Sequence, residues 1–218
     1  GAGHNGLVAA YYLARAGVDV RVLERRDFVG GACVTEELFP GFRVSSCSYV
    51  CHLLQEKVID DMELGKHGFE VYPLAPYRFH PFPNGQYMLN WNEDERTAEE
   101  IRRISPGDAD RFQDWAAFWK RASGILYRSF LTEPPTLSEV AAEVRGTPDE
   151  EVFERMLTGS MIDLVEEFFE SEQVRGALIE AHDAGDIRAP GSIMAVAYIK
   201  CDHFTDQRYV GIPKGGMG

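Results

Sequence analysis

Three glycines at the amino end have the spacing of a phosphate-binding turn. Gly1, Gly3 and Gly6 form the pattern Gly-X-Gly-X-X-Gly. The first glycine permits a tight turn between strand and helix, the second lets the backbone approach a pyrophosphate, and the third allows the helix to pack closely. A helix that begins here presents unpaired N–H groups and the positive end of its dipole to the phosphates. The spacing therefore predicts a dinucleotide-binding loop.

An acid follows where the sugar beside such a loop would lie. Residues 7–16 are strong helix formers closed by Gly17, and residues 18–23 alternate as a short strand. Glu24 comes next, 18 residues after Gly6. A carboxylate at about this distance accepts hydrogen bonds from the ribose hydroxyls and repels a 2′-phosphate, which disfavours NADP. Because Arg25 and Arg26 follow the acid, NADP stays an alternative cofactor. The glycine pattern alone does not distinguish FAD from NAD.

A second glycine pair, Gly30-Gly31, follows the acid within the segment Arg26-Asp27-Phe28-Val29-Gly30-Gly31-Ala32-Cys33-Val34-Thr35. Together with the first motif it resembles the "GG" signature of glutathione-reductase-like flavoproteins, which include amine oxidases, phytoene desaturases and Rab GDP-dissociation inhibitors. The resemblance implies FAD as cofactor, with the backbone after the pair near the flavin and the ribityl phosphate. The candidate cofactor-binding residues are Gly1, Gly3, Gly6, Glu24, Gly30, Gly31 and Thr35, followed in second rank by His4, Asn5 and Arg25.

A motif at the carboxyl end of the chain indicates a more specific family. Pro213-Lys214-Gly215-Gly216-Met217-Gly218 is similar to the Pro-X-Gly-Gly-Met-Gly element of phytoene desaturase and carotenoid isomerase relatives. The whole chain resembles the phytoene dehydrogenase-like proteins related to pyridine nucleotide-disulfide oxidoreductase domain-containing protein 2. This implies an FAD-dependent oxidoreductase that transfers hydride between a C–H or C=C centre and flavin N5. It also implies a lipophilic polyene or isoprenoid-like substrate, with the direction of reaction and the catalytic residues left open.

The family also implies the architecture, an α/β fold with a Rossmann-like FAD-binding domain interrupted by an α+β substrate domain. We expect the first FAD-binding segment at 1–70, the substrate domain at 71–205, and a return to the first domain at 206–218. Within the substrate domain, 71–92 should be sheet with a turn at Asn84-Gly85, and 93–205 should be helical. Because both ends fall in glycine-rich loops, the chain is expected to be cut at each end.

The helix predictions are more specific. Ser105-Pro106-Gly107-Asp108 should open a long helix. Other helices are predicted over 49–64, from about 149, over 171–184 and at 194–199.

Three alternatives share parts of the pattern. Disulfide reductases need a second cysteine five positions after Cys33, where the chain has Leu38, so Cys33 is expected to be a small buried residue. A prenyl-protein chaperone of the GDP-dissociation-inhibitor type would have the same fold without redox chemistry. A flavin amine oxidase would also fit the glycine pattern.

Composition limits the partners. The 22 basic and 35 acidic residues give a net charge of −13, which argues against a nucleic-acid partner and against electrostatic attachment to anionic lipid. Peripheral apolar contact with a membrane stays open, as does the oligomeric state. The histidines have no metal-ligand spacing, so no metal site is predicted. The four cysteines and the absence of a signal peptide or an apolar run long enough to span a bilayer favour a cytoplasmic compartment, or the mitochondrial matrix in a eukaryote.

Overall fold

The computed structural model describes residues 1–51, 53–180, 184–201 and 211–218. The chain divides into two compact units. Unit 1 comprises Gly1–Leu74 and Tyr209–Gly218, and unit 2 comprises Ala75–Arg208. The assignment of these units to a cofactor domain and a substrate domain stays a prediction.

Among its described residues, unit 1 consists of short helices and short antiparallel strand pairs. Its helices are α1 (His4–Arg15), α2 (Glu56–Asp61) and a 3-10 helix (Leu64–His67). Its strands form two antiparallel pairs, β1 (Thr35–Phe39) with β2 (Phe42–Ser45), and β3 (Val71–Pro73) with β6 (Gly211–Pro213). In the second pair Val71 lies opposite Pro213, so the last residues of the chain are hydrogen-bonded to the segment around position 72.

The predicted helix at α1 is present, and the strand predicted after it is not. Gly17 ends α1 with a φ of 83°, a left-handed conformation that favours glycine. The segment 18–23 is outside every strand of the described residues. Alternation alone indicates which side chains would share a face, and a strand also needs a neighbouring backbone to bond with.

The predicted helix over 49–64 is correct only in its second half. Cys51 exchanges two backbone hydrogen bonds with Gly211, at 2.8 and 3.1 Å. This pairing holds the chain in a bridge at position 51, and α2 begins only at Glu56. A contact between residues 160 positions apart thus overrides the local helix pattern.

Unit 2 begins with a hairpin and continues as helices. β4 (Arg78–Pro81) and β5 (Tyr87–Asn90) pair antiparallel, with Arg78 opposite Asn90. Gly85, with φ 81°, lies in the connecting turn as the Asn84-Gly85 pair predicts. The helices are α3 (Asp94–Arg102), α4 (Pro106–Tyr127), α5 (Leu137–Val144), α6 (Asp149–Thr158), α7 (Met161–Phe168), α8 (Glu172–Leu178) and α9 (Ser192–Ile199).

The start of α4 follows its sequence signal. The Ser105 side chain caps the helix by accepting a hydrogen bond from the Asp108 N–H, and Pro106 occupies the first turn. By contrast, α5 was not predicted, although Thr136 and Glu139 form a capping box at its start. The helix predicted from about 149 is two helices, because Ser160 caps a new one after Gly159.

The helix predicted over 171–184 is shorter than expected. It ends at Leu178, and Glu180 has a left-handed φ of 49°. The buried Glu180 carboxylate pairs with Arg78 and, at 3.1 Å, with the Lys200 ammonium. These two ion pairs hold Glu180 in a conformation that a continuing helix does not allow. Residues 181–183 are outside the described ranges.

The described hydrophobic core lies in unit 2 and is centred on α4. This helix packs against α3, α6, α7 and α9. Trp115 is the central aromatic, with its ring centroid 5.3 Å from Trp119, 5.4 Å from Phe168 and 5.2 Å from Phe169, all edge to face. No helix in the described ranges combines the length and apolar character needed to cross a membrane.

Candidate functional site

The amino-terminal turn leads directly into the first turn of α1. Gly3 is the N-cap residue with φ −76° and ψ 170°, and its side chain, a single hydrogen, provides no cap. No acidic residue lies in the first turn. Within the described residues the first N–H groups of α1 therefore lack a side-chain acceptor, which is the arrangement that binds phosphate at a helix terminus.

Glu24 lies against this turn. Its Oε2 atom accepts a hydrogen bond from the Ala2 N–H at 2.7 Å, and its Oε1 atom accepts from the Arg25 and Arg26 N–H groups at 2.8 and 3.0 Å. The backbone N–H groups of Arg26 and Ala2 lower the pKa of the Glu24 carboxyl to about 2. The acid is thus a fixed negative charge beside the turn, and the loop and the carboxylate occupy one site as their spacing predicts.

The amino-terminal glycine turn and the Gly30-Gly31 pair approach each other at a distance that side chains would prevent. Gly3 and Gly30 form a parallel bridge, and the Gly30 N–H donates to the Ala2 carbonyl at 2.7 Å. A Cβ atom on Gly31 would lie 2.8 Å from the Gly3 Cα atom. Gly31 also has a left-handed φ of 64°. The contact between the two turns therefore requires glycine for both space and backbone conformation.

Gly6 has a different neighbour from the one expected. A Cβ atom at this position would lie 2.3 Å from the carbonyl oxygen of Gly1. The close approach that Gly6 permits is therefore to the turn itself, whereas the motif predicts an approach to a sheet. In both cases the missing side chain of Gly6 allows close packing, which here brings the first turn of α1 against the loop.

Arg26 braces the second glycine pair, a role that the sequence pattern does not predict. Its Nη2 atom donates to the Gly31 carbonyl at 2.6 Å, and its guanidinium lies 4.6 Å from the centroid of the Phe28 ring. Arg25, a predicted second-rank ligand, is exposed and contributes its backbone N–H to Glu24.

The carboxyl-terminal glycines lie on the segment after the second pair. The Gly218 N–H donates to the Thr35 Oγ1 atom at 3.1 Å, and the Met217 N–H donates to Ser45 Oγ at 3.1 Å. A Cβ atom on Gly216 would lie within 2.2 Å of Thr35 Oγ1. The predicted ligand Thr35 is therefore where the carboxyl-terminal segment of unit 1 contacts its first segment, and sequence alone did not identify Gly216, Gly218 or Ser45 as its neighbours.

The remaining predicted residues, His4 and Asn5, are exposed in the first turn of α1. The His4 Nδ1 atom lies 3.4 Å from the Cys33 sulfur. Cys33 itself is half-buried, so the expectation that it is a buried packing residue is wrong. It faces the turn because the Gly30–Gly31 bend carries the following residues across the start of α1.

These residues fit a dinucleotide. The turn combines a helix start without a side-chain cap, a close backbone approach that a Cβ atom would block, and an acid beside the loop. The residues that would hold the pyrophosphate are Gly3 and the first turn of α1, and Glu24 would face the adjacent ribose.

Comparison with known proteins agrees with this geometry. Residues 1–62 match the family model for the NAD(P)-binding Rossmann-like domain. The chain is 33% identical to pyridine nucleotide-disulfide oxidoreductase domain-containing protein 2 of Rattus norvegicus, over an alignment that covers 87% of this chain and 37% of the relative. It is 41% identical to one of the subunits of limonene dehydrogenase from Castellaniella defragrans, over 56% of this chain and 22% of that protein.

A third relative and a solved structure extend the comparison. The chain is 30% identical to the phytoene desaturase (neurosporene-forming) of Rhodobacter capsulatus, over 52% of this chain and 22% of the relative. A triple mutant of putrescine oxidase with redesigned cofactor binding superposes with a TM-score of 0.57 at 18% identity, over 100% of this chain and 45% of that one. The predicted resemblance and fold class are confirmed. The chain spans about 37% of the length of the first of these relatives.

Proposed function

We propose that this chain, whose residues 1–62 match the NAD(P)-binding Rossmann-like domain, is part of an FAD-dependent enzyme that oxidises or reduces C–H and C=C bonds. The proposed substrate is a lipophilic polyene or isoprenoid. The observation that carries the proposal is the joint placement of the Gly1–Gly6 turn, Glu24 and the Gly30-Gly31 pair in one site.

The choice of FAD is supported by the second glycine pair. A Rossmann loop followed by an acid serves NAD and FAD equally. The Gly31–Gly3 contact places this second backbone segment beside the phosphate loop, and the Gly30-Gly31 pair is the part of the pattern that resembles glutathione-reductase-like flavoproteins. The fixed charge of Glu24, whose pKa is about 2, opposes a 2′-phosphate and so disfavours NADP.

The substrate class is supported by the names of the relatives. Limonene and phytoene, named in two of them, are isoprenoid hydrocarbons. A fourth relative, from Metabacillus indicus, is named 4,4'-diapolycopen-4-al dehydrogenase. Such substrates carry few polar groups, so binding them depends on burying apolar surface.

When bound, FAD would supply the hydride chemistry at its N5 atom. The residues of this chain would bind and orient it. The first turn of α1 would hold the pyrophosphate, Glu24 would accept from a ribose hydroxyl, and the Arg26–Gly31 bond would fix the second turn. None of these residues is assigned a proton-transfer role.

Two functions remain as alternatives to be tested. A prenyl-protein chaperone would have this fold and bind no flavin, and a flavin amine oxidase would be reduced by an amine. The putrescine oxidase likeness, at 18% identity, concerns the fold alone.

The test is anaerobic mixing of the purified full-length protein with candidate substrates. We expect a yellow protein whose flavin absorption bleaches with an isoprenoid polyene and stays unchanged with a diamine. A colourless protein that takes up no added FAD would favour the chaperone, and bleaching by the diamine alone would favour the amine oxidase.

A further inference from the structure

Cys33 and His4 form a thiol–imidazole pair at the phosphate loop. The Cys33 sulfur lies 3.4 Å from the His4 Nδ1 atom. His4 is the first residue of α1, a helix of 12 residues. The sulfur is therefore beside an imidazole that can accept its proton and beside the positive end of a helix dipole that stabilises an anion.

The other three cysteines differ from Cys33 in their burial and in their neighbours. Cys51 and Cys201 are buried, and the Cys201 thiol contacts the carbonyls of Ser123 and Ala197 at 3.4 Å. The pKa of the Cys51 thiol is raised, mainly by burial and to a smaller extent by the nearby Cys33. Cys47 is exposed. Among the described cysteines, Cys33 alone combines partial exposure with a contact to an imidazole.

We propose that Cys33 is a reactive thiol, modified covalently by soft electrophiles such as α,β-unsaturated carbonyl compounds and activated by His4. The thiol proton passes to His4 Nδ1. The sulfur then forms a bond with the β-carbon of the electrophile, the C=C π pair moves to the α-carbon, and that carbon takes up the proton from the imidazolium. The result is a thioether with no net change in oxidation state, so no further reactant is needed.

The position of the pair gives the modification a consequence. Gly31 contacts Gly3 and Cys33 follows two residues later, so an adduct at the sulfur would lie beside the first turn of α1. This part of the inference rests on the proposed function, in that FAD and an adduct would compete for the phosphate loop. We expect bound FAD to protect Cys33 and modification of Cys33 to block flavin uptake.

The experiment measures alkylation of the full-length protein by N-ethylmaleimide, with each cysteine followed by peptide mass spectrometry. In flavin-stripped protein at about pH 7, Cys33 should react roughly tenfold faster than Cys47 despite its lower exposure. The H4N variant should lose this advantage, whereas the matched H67N variant, altered at an exposed histidine of the same unit, should keep it. The C33S variant identifies the labelled peptide, and circular dichroism of H4N verifies that it folds.

The outcomes separate the two proposals. If Cys33 reacts no faster than Cys47, or if H4N reacts like the wild type, the reactive-thiol proposal is wrong. If the protein takes up no FAD, the proposed function fails while the alkylation rates still decide the case of Cys33. If FAD binds and leaves the Cys33 rate unchanged, the thiol is not beside the cofactor.

Discussion

At the residue scale, Glu24 is the side chain whose position and charge matter most. Three backbone N–H groups, from Ala2, Arg25 and Arg26, converge on its carboxylate. Its pKa is lowered from 4.5 to about 2, so the interaction is fully present above 4.5 and is lost as the pH falls towards 2.

This shift gives a prediction that NMR can check. As the pH falls through 4.5, the ordinary value for this carboxyl, the amide resonances of Ala2 and Arg26 should stay unchanged because Glu24 is still ionised. A titration of the Ala2 amide centred at 4.5 would show that the Glu24 contact does not form.

Gly31 provides a second prediction at this scale. Gly31→Ala places a methyl group 2.8 Å from the Gly3 Cα atom at a φ of 64°. Gly17→Ala is its matched control, because Gly17 has a φ of 83° and open space around it. We expect G17A to lower the free energy of unfolding by about 1 kcal/mol and G31A by roughly 2–4 kcal/mol, since overpacking adds to backbone strain. Equal losses in urea denaturation would show that the two turns do not touch.

The residues of the site were mostly predictable and their mutual contacts were not. The spacing of Gly1, Gly3, Gly6 and Glu24 placed the loop beside the acid because a helix and an extended return have fixed lengths. The contact of Gly216 and Gly218 with Thr35 joins residues about 180 positions apart. No local pattern encodes such a contact, so only the folded chain reveals it.

At the element scale, the start of α4 shows one residue serving two elements. Asp108 lies in the first turn of α4 and is buried. Its two carboxylate oxygens accept hydrogen bonds from the Glu170 N–H at 2.8 Å and the Ser171 N–H at 3.0 Å. The connection between α7 and α8 is thereby fixed to α4.

This arrangement predicts a specific loss of stability. Asp108→Asn replaces one acceptor with an amide that opposes a backbone N–H, so the free energy of unfolding should fall by about 2–3 kcal/mol. Asp110→Asn, in the same helix, removes only an exposed contact with Arg102 at 3.0 Å and should change it by less than about 1 kcal/mol. Chemical denaturation measures both variants, and similar losses would contradict the role of Asp108.

Local signals correctly predicted the start of α4 and the β4–β5 turn, where no distant contact opposed them. Ser105 and Pro106 start α4, and the Asn84-Gly85 pair turns the β4–β5 hairpin. The prediction failed over 49–55, where the Cys51–Gly211 bridge excludes a helix, and after Leu178, where the ion pairs of Glu180 fix a left-handed backbone. Long-range hydrogen bonds and buried charges decide these segments.

At the scale of the whole molecule, the two units differ in what they contribute. Unit 1 contains the loop, the acid and the Gly30-Gly31 pair, while the described hydrophobic core belongs to unit 2. The net charge of −13 opposes a polyanionic partner. Both features are compatible with the proposed partners, a dinucleotide and an apolar small molecule.

The most direct test of this account is an equilibrium titration of the flavin-stripped full-length protein with FAD, followed by flavin fluorescence. We predict saturable binding by the wild type, a dissociation constant about 10- to 100-fold higher for Glu24→Ala, and no change for the matched variant Asp27→Ala, an exposed acid three residues away. If Glu24→Ala binds FAD as tightly as the wild type, the loop and acid do not form the cofactor site.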